Sequence, residues 1–188
     1  VPQPPQPGEV SGRALATATV TENGQPGYET VLVGNVPLAG ERITLRANAY
    51  AAEEGGYIDD DIRGLKDVNR TRLRGGRAIV AMQIAEGWQI DAMGALQAID
   101  TRDAQYAEEG KAPLSRRSVL PQPFSQRYKL GSLSLKGGAG DLTLDAVIGV
   151  IDSECIETFD ASRLFGEEAP FAQAIDTSIV SGEARVHY

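Results

Sequence analysis

Residues 53–61, EEGGYIDDD, place Glu53, Glu54, Asp59, Asp60 and Asp61 within one short stretch. Carboxylate oxygens are the ligands a hard cation takes. The spacing is not that of an EF-hand, so the expectation is a solvated outer loop whose acids stay in water. Just downstream, Arg70, Arg72, Arg74 and Arg77 concentrate positive charge. Pairing with Asp or Glu is the expected use, and contact with an anionic ligand the second. The single Cys and single His exclude an internal disulfide, a Cys-built zinc site, a His-rich metal centre and a Ser/His/Asp or Cys/His catalytic set. Cys155 falls in a long connection with no activating neighbour and is expected to be inert. KGGAGD (136–141) lacks the Lys-Ser/Thr of a phosphate loop. It matches a Gly-Gly-x-Gly-x-Asp calcium repeat only once, with the Asp one place early, so a tight turn is expected. These residues predict no catalytic group, no metal and no cofactor; the chain is not expected to be an enzyme.

The bulk composition narrows the classes further. The 188 residues suit one domain. The net charge of −8 disfavours a nucleic-acid partner, which needs a basic face to displace counterions. No run approaches the ~18 apolar residues of a membrane helix, but barrel strands alternate and never build such a run. Val1 is not followed by a charged and then an apolar region, so no signal peptide is expected. VPQPPQP (1–7) reads as an extended proline-rich linker, with 1–8 preceding the folded part.

What must position these residues is a set of strands. Period-2 alternation dominates and helical periodicity is not convincing. Eight strands are expected, near 9–21, 28–36, 42–52, 72–84, 89–100, 124–135, 142–151 and 178–188. Asn23-Gly24 signals a hairpin between the first two. From the second strand on, short turns at 37–41, 85–88 and 136–141 alternate with long connections at 53–71, 103–123 and 152–177. Short turns at one end and long loops at the other are how up-and-down outer-membrane barrels are built; a Greek-key sandwich has no reason to keep that order.

Side-chain parity agrees. In the third strand Ile43, Leu45, Ala47, Ala49 and Ala51 share a face, opposite Arg46, Asn48 and Tyr50. Similar splits follow in the fifth, seventh and eighth strands, where His187 falls on the polar face as a wall residue. Trp88 and Tyr188 fall at the short-turn end, and Tyr57 and Phe124 at the long-loop end, where aromatic girdles belong. Strand six is irregular: Leu133 and Leu135 share a face with Arg127 and Lys129, which a bulge would explain. Arg74 falls on the apolar parity and must lie beyond any hydrocarbon layer. Arg46, Asn48, Arg77 and Gln97 fall on the polar parity and are the candidate ligand-contacting residues.

One collinear series goes beyond pattern. It runs GEVSGRALATATVTENG, then VLVGNVPLAGERITLRANAYAAEEGGYIDD, then DVNRTRLRGGRAIVAMQIAEGWQIDAMGALQAID, then QPFSQRYKLGSLSLKGGAGDLTLDAV, then SIVSGEARVHY. In order and spacing it resembles the early barrel strands of TonB-dependent outer-membrane receptors, over nearly the whole chain from Gly8 to Tyr188. The resemblance implies an all-β, antiparallel up-and-down transmembrane barrel. The chain would begin at the plug-to-barrel junction and supply part of a wall of about 22 strands around a plug. It implies a bacterial outer-membrane location with lipid and lipopolysaccharide contact. Energy would come from the TonB complex through the plug, for uptake of a scarce small ligand such as a ferric siderophore or a glycan. No plug or TonB-contacting segment precedes VPQPPQP, so the chain is expected to be a partial wall that does not transport alone.

Two alternatives stay open. Eight strands can close a small outer-membrane barrel acting as an anchor or adhesin. A soluble β-sandwich binding module is the third, and would behave as a monomer without detergent.

Overall fold

The computed structural model describes residues 3–109 and 112–188. Val1 and Pro2 of the linker, and Gly110 and Lys111 of the second long connection, lie outside the described residues. Eight long strands form one antiparallel sheet in chain order: β1 (Ser11–Thr19), β2 (Gly27–Ala39), β3 (Ile43–Glu54), β5 (Thr71–Ala85), β6 (Trp88–Thr101), β8 (Phe124–Ala139), β9 (Leu142–Asp160) and β10 (Pro170–His187). Two-residue strands β4 (Asp59–Asp60) and β7 (Ser115–Arg116), in the first two long loops, pair in parallel. A single helical turn, α1 (Ser162–Phe165), lies in the third.

The expected meander is present, with adjustments of known cause. Asn23 has φ of 56°, but no tight hairpin forms. The link at 20–26 instead packs on the chain leaving β3, where a Cβ on Gly24 would stand 2.8 Å from the Gly56 carbonyl. The third long loop is 161–169 rather than 152–177. The acids of DSECIETFD break the apolar alternation, yet the backbone ladder continues and pairs β9 with β10 from Pro170↔Asp160 onward. Cys155 therefore lies within β9 opposite Ile175, not in a loop. No bulge interrupts β8, whose register with β6 and β9 is continuous; the ladder irregularities fall at Pro37/Ala39 and Gln83/Ala85.

The sheet does not close. Its order ends at β1 and β10, which do not pair with each other. The closed barrel that eight strands could make is thus not the architecture here. Nor is it a sandwich, since no second large sheet covers either face. The accessible surface is 12117 Å², against roughly 8,700 Å² for a compact 20.0 kDa chain. Among the described residues, the buried apolar side chains are Pro5, Ile58, Val68, Ile79 and Ala81.

The two faces differ in chemistry. Register carries Leu45 to Val80, Ala92, Leu133 and Ile148 on one face. Leu96, Ile148 and Val180 stand there 62%, 53% and 71% exposed, an apolar surface without cover. Leu133 and Leu135 share this face with Arg127 and Lys129 because the leucines lie nearer the short turns and the cations nearer the long loops. The other face carries Arg46, Asn48, Tyr50, Gln97, Tyr128 and Ser132.

Candidate functional site

All four predicted residues lie on the polar face. Arg46 and Asn48 are two apart on β3, Asn48 is opposite Arg77 on β5, and Arg77 is opposite Ala95, two residues before Gln97 on β6. A hollow of about 840 Å³ spans β3, β5, β6 and β8 at this level, and its lining includes Asn48, Tyr50, Arg77, Gln97 and Tyr128. Arg46 stands apart from it, donating from Nη2 to Gln3 Oε1 at 2.8 Å. Asn48 Oδ1 accepts the Arg77 backbone N–H at 3.1 Å. The Gln97 amide oxygen accepts the Tyr50 hydroxyl at 2.8 Å. Among the described residues, the Arg77 guanidinium has no hydrogen-bond or ion-pair partner, so its donors are left for a ligand; Arg74 and Lys129, which line the same hollow from the opposite parity, likewise have no acidic partner.

Sequence reasoning missed Tyr50 and Gly75. Tyr50 lies across Gly75, where an added Cβ would come 2.5 Å from the hydroxyl and 2.6 Å from the Leu96 carbonyl. The GGR of β5 carried that signal, since a strand glycine often marks a position covered by a neighbour. Trp88 covers Gly137 in the same manner on the other face.

The linker also docks on the polar face. Asn35, fully buried on β2 opposite Arg46, accepts the Gln6 N–H at 2.9 Å and donates to the carbonyls of Gln6 and Glu9 at 2.9 and 2.6 Å. The proline-rich segment is extended, but Asn35 holds it as a strap rather than leaving it free.

At the long-loop end a buried charge cluster joins the first two loops. Asp60 and Arg116 have no exposed side-chain surface, and Arg116 Nε lies 3.4 Å from Asp60 Oδ2. Arg116 also pairs with Asp103 and stands 5.4 Å over the Tyr106 ring. Arg63 bridges Asp60, at 2.7 Å, and Asp103. Two acids and two guanidiniums leave the cluster neutral, as burial demands. Burial alone would raise the Asp60 carboxyl; the side-chain and backbone hydrogen bonds of Arg63, the Ser118 N–H and the Arg63 charge outweigh it and hold it below its ordinary 3.8. Burial would lower Arg63, and its bonds to Asp103 and Asp60 raise it instead. Asp160 then ties in the third loop, accepting from Ser118 Oγ, the N–H groups of Val119 and Leu120, and the Ser162 N–H.

The acid run is therefore solvated only in part: Glu54 and Asp61 are exposed, as expected, but Glu53 and Asp60 are buried. Asp59 pairs with Lys66, Asp60 is buried in the cluster, and Asp61 accepts from Ser115 Oγ at 2.8 Å. The three carboxylates point to different partners, and no metal-ligating cluster occurs among the described residues. The expected Arg pairing holds for Arg70 and Arg72, which share Glu53. It does not hold for Arg74 or Arg77, which have no acidic partner among the described residues. His187, at the end of β10, shares the polar parity with Arg185 and is exposed.

This arrangement offers hydrogen-bonding groups and charge on one face and an uncovered apolar surface on the other. Comparison with protein-family models, curated proteins and solved structures gives no match.

Proposed function

We propose that this chain forms part of the barrel wall of a bacterial outer-membrane receptor of the TonB-dependent kind. It would serve energy-coupled uptake of a scarce ligand such as a ferric siderophore or a glycan. The observation that carries the reading is an antiparallel meander with short turns at one end and long loops at the other. Its apolar face is uncovered, the opposite face carries most of the sheet's polar side chains, and both its edges are unpaired among the described residues. Every backbone group in a lipid-facing sheet must be paired, so edges as long as β10 call for further strands. That favours a larger wall over a self-contained eight-stranded anchor. The uncovered Leu and Val face disfavours a soluble binding module. The strap of residues 3–9 on the polar face suits a chain that arrives from inside a barrel, as the plug-to-barrel junction of such receptors does. Arg46, Asn48, Arg77 and Gln97 would face the lumen, with Arg77 the ligand contact and Arg46 holding the strap. TonB would act through the plug, lipid and lipopolysaccharide would surround the apolar face, and no step would be catalytic.

Cysteine labelling in membranes tests this. On a Cys155→Ser background, Leu133→Cys and Ile148→Cys are expected to resist a water-soluble maleimide in outer-membrane preparations. Glu167→Cys, in the third long loop, should react freely. Equal labelling at all three positions would sink the membrane-wall reading.

A further inference from the structure

The hollow on the polar face is built from two neighbouring rows of the register. Asn48, Arg77 and Leu130 fall in one row, and Tyr50, Gln97 and Tyr128 in the next towards the long loops. What these rows offer a ligand is set by hydrogen bonds already made within them. Asn48 Oδ1 accepts the Arg77 backbone N–H at 3.1 Å, and Gln97 Oε1 accepts the Tyr50 hydroxyl at 2.8 Å. Both amide oxygens are engaged, while both amide NH2 groups have no partner among the described residues, beside the equally unpaired Arg77 guanidinium. A flipped Asn48 amide would set donor against donor at the Arg77 N–H, so the backbone fixes its orientation. No Asp or Glu lines the hollow. The acid that shares this face of β6 is Asp91, two rows below Ala95, and it already accepts from Gln89 at 2.6 Å. The rows therefore present donors, with the phenol oxygens of Tyr50 and Tyr128 as their side-chain acceptors. A sugar hydroxyl donates as well as accepts, and a neutral glycan would leave many of its donors without a partner here.

We propose that the hollow takes an acidic organic ligand, with a carboxylate on the Arg77 guanidinium and the Asn48 and Gln97 amides donating to its further oxygens. This rests on the uptake reading above and narrows its ligand to a carboxylate-bearing one, against a neutral glycan. The planar guanidinium fork matches a carboxylate in two parallel hydrogen bonds. The Tyr50 and Tyr128 rings and Leu130 set carbon surface beside the donors, and about 840 Å³ is the room of a small-molecule site. A bare inorganic anion would leave most of that space and all of that carbon surface unused. Arg74 and Lys129 stand on the opposite parity, so the choice of charge on this face falls to Arg77.

Protection from labelling tests it, on the full chain in outer-membrane preparations. Ser132→Cys, on a Cys155→Ser background, sets a thiol on the polar face one row below Leu130. A water-soluble maleimide should label it far more than Leu133→Cys on the apolar face. Equal resistance at both positions would overturn the membrane-wall reading itself. Trigalacturonate, an acidic trisaccharide, should slow the labelling of Ser132→Cys. Its half-protecting concentration should be at least about tenfold below that of its methyl ester, the worth of one charge-assisted hydrogen bond. Maltotriose, a neutral trisaccharide, should protect no better than the ester. Arg77→Gln should bring trigalacturonate to the level of the ester, and Arg77→Lys should restore part of the gap. Arg13→Gln, on the same face two strands from β3, should leave the gap as it was. If Ser132→Cys labels and Leu133→Cys resists, the wall reading stands. Equal protection by all three sugars, protection by none, or equal loss in Arg77→Gln and Arg13→Gln then overturns the ligand proposal alone. Equal protection by inorganic phosphate at matched ionic strength also overturns it, by assigning Arg77 to the free anion.

Discussion

The Tyr50 ring lies directly over Gly75, so that the tyrosine of β3 crosses β5 and its hydroxyl reaches Gln97 on β6. Three strands are tied by one side chain, and the glycine is what gives it room. Gly75→Ala would put a methyl group 2.6 Å from the Leu96 carbonyl as well as against Tyr50. Rotating the ring alone cannot relieve that. The expected loss is about 1–3 kcal/mol, read as a lower urea midpoint of the refolded chain. Gly94→Ala, where an added Cβ meets nothing within 4 Å, should change the midpoint far less.

The buried cluster makes a second prediction. Arg116→Ala would leave Asp60 and Asp103 with Arg63 as their one cationic partner, in a site without water access for Asp60. Breaking a buried pair costs about 3–5 kcal/mol. That cost should appear locally, as faster protease cleavage in residues 55–70 and 102–123, while the strands stay protected. Unchanged cleavage would mean the loops are held by the β4–β7 backbone pairing alone.

The same cluster sets a pH dependence. Asp60 is depressed in the folded state, so the unfolded chain binds its proton first as pH falls. Its contribution is complete above the ordinary carboxylate value of 3.8 and is lost as pH falls through the lower folded value. Arg63 is raised and stays charged throughout this range. Amide exchange at Ile58–Asp61 should therefore be flat from neutral pH to about pH 5, after correction for intrinsic rates, and rise below about pH 4. An increase already at pH 6 would point to a different group.

Asn35 makes the fourth. Asn35→Ala removes the acceptor for the Gln6 N–H and the donor to two carbonyls. A cost of about 1–3 kcal/mol falls on docking of the strap rather than on the sheet. Proteolysis within residues 3–8 should accelerate while the urea midpoint of the sheet barely moves. A large midpoint shift would show that the strap belongs to the folding unit.

The strands were legible where side chains alternate and turns are marked. Ile43 to Ala51, Leu142 to Val150 and the glycines before Arg42, Trp88 and Asp141 place the elements and the two faces within a few residues. The extension of β9 and β10 was not legible, because a ladder held by backbone hydrogen bonds does not require alternation in DSECIETFD. Of the four candidate site residues, parity placed all on one face; only the tertiary contacts showed the Arg77 side chain without a partner among the described residues, Asn48 and Gln97 engaged, and Arg46 holding Gln3.

The sequence by itself determined two-faced strands and the turns between them, because alternation and turn residues act over two to five neighbours and need no distant partner; that they lie in one open sheet came from the tertiary structure. Only the tertiary structure decided that Asp60 is buried against Arg116, 56 residues later in the chain, rather than solvated. The tertiary structure alone also decided that Asn35 clamps the linker and that β1 and β10 stay apart. Each depends on which distant segments meet, and the charge of an aspartate says nothing of whether an arginine or water will be beside it.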